Sequence, residues 1–273
     1  MKRALSVIVL FFILFCITGC GDGDISSESG LKGEINGGGS TSVQKIIDAE
    51  GAEFEALHPG VSFTYSGTGS SDGIKNTANG TYSFGCASRD LKESEKGQMK
   101  ELIFAYDGIA MIVNDSNPIK NLTKEQLQAI YTGKITNWKD VGGDNRQIAV
   151  VSREDGAGTR TAVEELIDFS EKLKSNATIK EGNGNVQSTV AANPNAIGYV
   201  SITFVDKSVK PLLINGVEPT VENVLNKSYL LARPFLALYN EAKMDEATHA
   251  FLDFVMSEEG QVIVEKNGGI SIL

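Results

Sequence analysis

Cysteine, histidine and tryptophan are scarce in this 273-residue sequence, at three, two and one. His58 and His249 stand far apart at no metal-ligand spacing, so a zinc site lacks material and both read as surface residues. Cys16 and Cys20 belong to the N-terminal segment, which leaves Cys86 alone in the body and excludes an internal disulfide. Cys86 lies in an apolar stretch with no histidine nearby in sequence, and reads as a small buried hydrophobe rather than a nucleophile. Basic residues are outnumbered, 25 Lys and Arg against 35 Asp and Glu, for a net charge of −10. Neutralising nucleic-acid phosphates needs clustered cations, so general nucleic-acid binding is excluded. No apolar run is long enough to cross a bilayer comfortably, and no repeat of 20 to 50 residues is present. What is plentiful is ordinary globular material, 41% hydrophobic and 22% charged, together with 29 glycines whose placement matters.

The N-terminus carries a basic head, Met1-Lys2-Arg3, and an apolar run from Ala4 to Ile17, as in the h-region of a secretory signal. It ends in Ile17-Thr18-Gly19-Cys20, which resembles a bacterial lipobox, with Ile17 where Leu is usual. The resemblance implies a signal peptide over 1–19, lipidation of Cys20 with palmitate-type chains, and attachment to the outer face of the cytoplasmic membrane. An ordinary signal cut elsewhere, with Cys20 incidental, is the alternative. The Gly, Ser and acid-rich stretch that follows reads as a flexible tether over 20–33 and favours the lipobox.

Periodicity along the body predicts strand and helix in alternation, the pattern of an α/β fold. Val43 to Leu57 has helical spacing and is stopped by His58-Pro59-Gly60. Strands are expected at 61–65, 82–87, 103–113, 148–151, 197–201, 211–214 and 236–239. Helices are expected at 70–79, 92–102, 159–167, 245–256 and 258–267, with one more opening at Leu122 and capped by Thr123 and Gln126. Trp138 reads as packing. Glu164, Glu165, Glu258 and Glu259 read as helix charges.

Four segments share one construction: glycines and small hydroxyl residues where a strand hands over to a helix. They are Gly37-Gly38-Gly39-Ser40-Thr41-Ser42, Gly67-Thr68-Gly69-Ser70-Ser71-Asp72-Gly73, Ser88-Arg89-Asp90, and the run from Ser152 to Arg160, SREDGAGTR. The first N–H groups of a helix lack intrahelical partners and carry the positive end of the macrodipole. Glycine lets an oxyanion approach them, and hydroxyls add donors. Any one segment alone is as well explained by helix capping. Four together, two of them carrying an arginine, point to an anion gathered at strand carboxyl ends. Gly67 to Ser71 is not a P-loop, because the Lys-Ser/Thr ending is missing.

With GGGSTS, GTGSSDG, SFGCASRD, TGKITNWKDVGG, AVVSREDGAGTRTA, AIGYVS and ARPF in order from Glu34 to Leu273, the sequence resembles the phosphate-binding lipoproteins of bacterial ABC importers. The resemblance implies an α/β, two-lobed periplasmic-binding-protein-like (type II) fold with hinge strands between lobes. One lobe is expected over 34–114 and completed by 232–273, the other over 115–231. It further implies an extracytoplasmic receptor that clamps dehydrated inorganic phosphate and delivers it to a permease and its ATPase. The receptor is expected to be a monomer with no catalytic residue, metal or cofactor.

Carried onto this chain, phosphate would be held by Ser40, Thr41, Ser42, Ser70, Ser88, Arg153, Ala157, Gly158 and Thr159. Asp155 would orient Arg153 through a salt bridge. Two departures from the family pattern stand out. Ala157 replaces a frequent serine and leaves only its backbone N–H. Ser88 falls where many members place the aspartate that accepts the ligand's proton, so Ser88 or a displaced Asp90, beside Arg89, would take that role. A buried acceptor facing the ligand would be left unpaired by sulfate and so reject it. A receptor for another tetrahedral oxyanion such as sulfate or molybdate is the rival reading. A phosphate-ester hydrolase ranks lower, because no nucleophile beside a base and no metal cluster is evident.

Overall fold

The computed structural model describes residues 30–170 and 172–273. The signal peptide, Cys20 and most of the expected tether lie outside the described residues.

The chain first builds β1 (Lys32–Gly39), α1 (Gln44–Leu57), β2 (Gly60–Gly67), α2 (Ser70–Asn79), β3 (Phe84–Ala87) and the long β4 (Lys100–Asn114). It continues through β5 (Asn121–Leu122), α3 (Lys124–Tyr131), β6 (Ala149–Arg153), α4 (Gly158–Leu166), β7 (Thr178–Lys180), α5 (Gly182–Ala192) and β8 (Ala196–Ser201). Then come β9 (Val209–Pro211), β10 (Leu213–Ile214), α6 (Val221–Leu225), β11 (Ala232–Tyr239), α7 (Glu246–Met256) and α8 (Glu258–Lys266). The strands order as β2-β1-β3-β11-β4-β8-β6-β7, with β9 also on β4.

Two strands carry the chain between lobes. The first half of β4 pairs with β11 from Lys100 to Gly108, and from Ile109 onward it pairs with β8. β4 thus changes partners inside the 34–114 segment, before its end at Asn114. The return passes through Leu231, whose carbonyl accepts the Ile109 N–H at 2.7 Å, and enters β11.

Each lobe has its own core, as two layers around one sheet require. In the first lobe Ile35, Phe54, Phe84, Phe104, Phe235 and Phe251 are fully buried, and Phe54 and Phe251 meet edge to face at 5.5 Å. Each such ring contributes about 1.5–3 kcal/mol by leaving water. The second lobe closes over Leu127, Tyr131, Trp138, Val150, Val163 and Tyr199. Trp138 donates its indole N–H to the Asn195 carbonyl at 3.0 Å, which agrees with a packing role. Cys86 is fully buried in β3, and burial pushes its thiol pKa up.

Three expectations need correction. The segment from Lys92 to Leu102 is not a helix but a turn that runs into β4. There Glu95 accepts the Lys92 N–H at 2.8 Å, and Gly97 takes a φ of +75° that a helix cannot continue through. β1 begins at Lys32, inside the stretch read as tether, and pairs with β2 from Lys32↔Gly60. Its glycines hid it, since glycine is depleted in strands; here Gly37 and Gly38 make room for the rings of Phe84 and Tyr82. Finally, the expected helices include neither α5 nor α6.

Candidate functional site

The sheet order places the carboxyl ends of β1, β2, β3, β6, β7 and β8 around one cleft between the lobes. Each end delivers its following loop there, as open α/β sheets do at a change of strand order. After β1 come Ser40, Thr41 and Ser42, after β2 Ser70, after β3 Ser88, and at the end of β6 Arg153 followed by Thr159.

These side chains meet across the lobes. Ser42 Oγ lies 3.0 Å from Thr159 Oγ1, and Arg153 donates from Nη2 to Thr41 Oγ1 at 3.1 Å and from Nη1 to Thr159 Oγ1 at 3.4 Å. Ser40 Oγ donates to Ser88 Oγ at 2.8 Å. Ser70 Oγ accepts the Ser88 N–H at 3.1 Å and lies 3.4 Å from Ser88 Oγ. Gly158 fits so closely that a Cβ there would lie 2.8 Å from Ser88 Oγ and closer still to Ser70 Oγ. Backbone joins in, with Ser71 N–H donating to the Gly156 carbonyl at 3.1 Å. Ser40, Ser42, Ser70, Ser88, Arg153 and Thr159 are all buried.

Capping does not explain these hydroxyls. The four helices that begin at the cleft, α1, α2, α4 and α5, have no side-chain cap. The other four, α3, α6, α7 and α8, are capped by Thr123, Thr220, Asp245 and Ser257. Each uncapped N-terminus presents about half a positive charge, roughly two charges for the set of four. These oriented N–H groups, with the O–H dipoles beside them, add to the field that the Arg153 guanidinium brings to the cleft.

Several expected roles change. Arg153 is oriented by Glu154, which accepts from Nε at 2.8 Å and Nη2 at 2.7 Å, and not by Asp155. Burial pushes the Glu154 carboxyl up, but the Arg153 guanidinium outweighs it and holds the pKa below its ordinary value. Asp155 lies farther out on the loop, with a side chain 96% exposed, and pairs with Arg160 at 2.5 Å. The Ala157 N–H is spent on the Glu154 carbonyl at 3.3 Å, since Ala157 closes the turn that precedes α4. Asp90 is exposed and its carboxylate bonds none of the cleft groups, whereas Ser88 is in their midst. Arg89 turns away to a bidentate pair with Glu95 at 2.7 and 2.9 Å and reaches the cleft only through Ser71 Oγ at 3.5 Å.

Sequence reasoning missed four participants. Asn183, at the start of α5, donates to Thr41 Oγ1 at 3.2 Å and Ser42 Oγ at 3.1 Å, and its own Oδ1 accepts the Ser201 N–H at 3.1 Å. Its segment, Gly182-Asn183-Gly184-Asn185, repeats the glycine-plus-polar construction and would have been found had β7 been read as a strand. Arg233 on β11 donates to Ser42 Oγ at 3.0 Å and to the Ser88 carbonyl at 2.9 Å. Asp107 on β4 accepts from Arg233 at 2.7 and 2.9 Å and from Ser201 Oγ at 2.8 Å. An acid inside the apolar run 103–113 was the available signal, because a carboxylate is seldom buried unpaired. Burial pushes Asp107 up and Arg233 down, each partly offset by the other. Glu154, described above, is the fourth.

A sequence profile of the PBP superfamily domain matches residues 25–259. The phosphate-binding protein PstS of Borreliella burgdorferi is 30% identical over 247 residues, covering 86% of this chain and 88% of its own. A phosphate ABC transporter substrate-binding protein of Clostridium perfringens, solved with bound phosphate, is 50% identical with a TM-score of 0.87, covering 88% of this chain and all of that one. An ABC-type phosphate transport receptor of Vibrio cholerae is 38% identical with a TM-score of 0.76, over 86% of this chain and 99% of its own.

Proposed function

As this chain belongs to the PBP superfamily, among the phosphate-binding receptors of ABC importers, we propose that it captures inorganic phosphate between its lobes and hands it to a permease and its ATPase. One observation carries the reading: hydroxyl, amide and guanidinium donors from both lobes converge on one buried locus. Ser42 Oγ alone is approached by Thr159, Asn183 and Arg233, within 3.0–3.1 Å. The fixed donors of Arg153, Arg233 and Asn183, with hydroxyls free to rotate and donate beside them, suit an acceptor-only ligand with several oxygens. The uncapped helix ends suit a dianion. Local dipoles are what such a ligand needs, because a chain of net charge −10 repels it at long range.

The binding set is Ser40, Thr41, Ser42, Ser70, Ser88, Arg153, Gly158 and Thr159, with Glu154 holding Arg153 and Ser88 facing the ligand's proton. The receptor is a monomer tethered through a lipid on Cys20 at the outer face of the cytoplasmic membrane. Residues 32–108 with 232–273 form one lobe and 109–231 the other. A receptor is favoured over an ester hydrolase because, among the described residues, none of the hydroxyls in this binding set bonds to a histidine or a carboxylate that could activate it.

Isothermal titration tests the reading, with phosphate, sulfate and molybdate as titrants and a chromogenic phosphate ester as possible substrate. Phosphate binding near micromolar, about −8 kcal/mol, is expected from a handful of charge-assisted hydrogen bonds less the cost of closure. No heat with phosphate, but binding of sulfate or molybdate, would overturn it, as would turnover of the ester.

A further inference from the structure

The two strands that cross between the lobes are register partners at a single ion pair, Arg233 opposite Asp107. The pair stands where β4 leaves its lobe-one partner and β11 enters the lobe. Both groups are buried, Arg233 at 4% and Asp107 at 0% exposure. Arg233 divides its donors between its acid and the cleft: Nε and one Nη2 hydrogen serve Asp107 Oδ2, while Nη2 also reaches Ser42 Oγ and Nη1 reaches the Ser88 carbonyl.

Arg233 therefore enters, from the lobe-one side, the hydroxyl cluster that Arg153 enters from the other lobe. Arg153 reaches Thr159 Oγ1, Thr159 Oγ1 lies 3.0 Å from Ser42 Oγ, and Ser42 Oγ receives Arg233. The two guanidiniums repel one another, each held beside its own carboxylate. An anion placed between them would turn the repulsion into attraction. Arg233 is also tied to the second lobe, because Asp107 Oδ1 accepts from Ser201 Oγ and Ser201 N–H donates to Asn183, which in turn bonds Ser42. Five groups form a closed circuit from the hinge to the cleft.

From this we infer that Arg233 is a second ligand-binding guanidinium of the cleft, supplied by the hinge strand and aimed by Asp107, an inference that rests on the phosphate reading above. It contacts a phosphate oxygen beside Ser42 and Ser88, on the lobe-one side, while Arg153 contacts the ligand from the other lobe. The hinge itself thereby touches the ligand, and occupancy is felt where the lobes pivot.

The test uses the full chain in two variants. Arg233→Lys keeps the charge but loses the fork. The double variant Arg233→Gln with Asp107→Asn removes both charges and leaves no buried ion unpaired. Thermal melting is expected to show both folded. Titration with phosphate is expected to show affinity roughly 100-fold weaker in the double variant and about 10-fold weaker in Arg233→Lys. A crystal structure with phosphate is expected to place an Arg233 Nη within hydrogen-bond distance of a ligand oxygen. Affinity within about threefold of wild type in folded Arg233→Lys overturns the inference, and so does bound phosphate with Arg233 on Asp107 and Ser88 alone. A wild-type chain that binds no phosphate would instead sink the phosphate reading, and the inference with it.

Discussion

Gly158 is where the geometry makes its sharpest demand. It is the first residue of α4, is buried, and does not have a positive φ, so alanine fits its backbone without strain. Within its own lobe the change is harmless, and helix propensity even favours alanine by up to about 1 kcal/mol. Across the cleft it is not. The new methyl would stand 2.8 Å from Ser88 Oγ and 2.9 Å from Ser70 Cβ, against roughly 3.5 Å for unstrained van der Waals contact. Ser70 and Ser88 must turn away or the lobes must stay apart by a substantial fraction of an ångström. Either way the ligand loses about two charge-assisted hydrogen bonds, worth roughly 1.5–3 kcal/mol each. The expected loss is about 3–6 kcal/mol, or roughly 10²- to 10⁴-fold in affinity. Titration calorimetry of Gly158→Ala with phosphate reads this directly, and a melt without ligand is expected to match wild type. Small-angle scattering should show wild type contracting with phosphate and the variant failing to. Phosphate affinity within about threefold of wild type would refute the claim that the lobes close against Gly158.

Other expectations follow from the same contacts. Glu154→Gln should weaken phosphate binding about 10-fold by releasing Arg153, whereas Asp155→Asn, on an exposed side chain, should change it by less than about twofold; equal losses by calorimetry would contradict the assignment of Glu154. Glu50 on α1 is fully buried, and among the described residues neither of its oxygens finds a hydrogen-bond partner. Burial pushes its pKa well above the ordinary carboxylate value, so the folded state binds a proton that the unfolded chain releases. Its stabilising share is complete below the unfolded pKa and is lost as pH rises toward the folded one, at about 1.4 kcal/mol per pH unit. Glu50→Met should therefore melt higher than wild type near neutral pH, with the difference shrinking toward pH 5; parallel melting profiles across that range would refute it.

Charge economy links these sites. Each buried cleft arginine has one carboxylate, Glu154 for Arg153 and Asp107 for Arg233, so neither guanidinium is left as an isolated ion. To the pull of the two guanidiniums the cleft adds groups that no neighbour neutralises: helix N–H groups, hydroxyls and the Asn183 amide. Dipoles of this kind act over a short range, which reconciles anion capture with an acidic chain.

Local order of apolar and polar residues carried much of the fold. The helix over 70–79, the Thr123 capping box, the extended run through 103–113 and the two closing helices were legible because spacing and caps act within a few residues. So were the loops with Ser40 to Ser42, Ser70, Ser88 and Arg153 to Thr159, whose glycines and hydroxyls follow strands. Partner choice was a different matter. Glu154 and Asp155 are neighbours of the same charge, and only the path of the loop decides which one meets Arg153. Arg233 and Asp107 are separated by more than a hundred residues and become register partners only when β11 lies against β4. Asn183 joins Thr41 and Ser42 only once the second lobe closes on the first. Such contacts depend on where distant strands come to rest, and no local pattern in the chain encodes that distance.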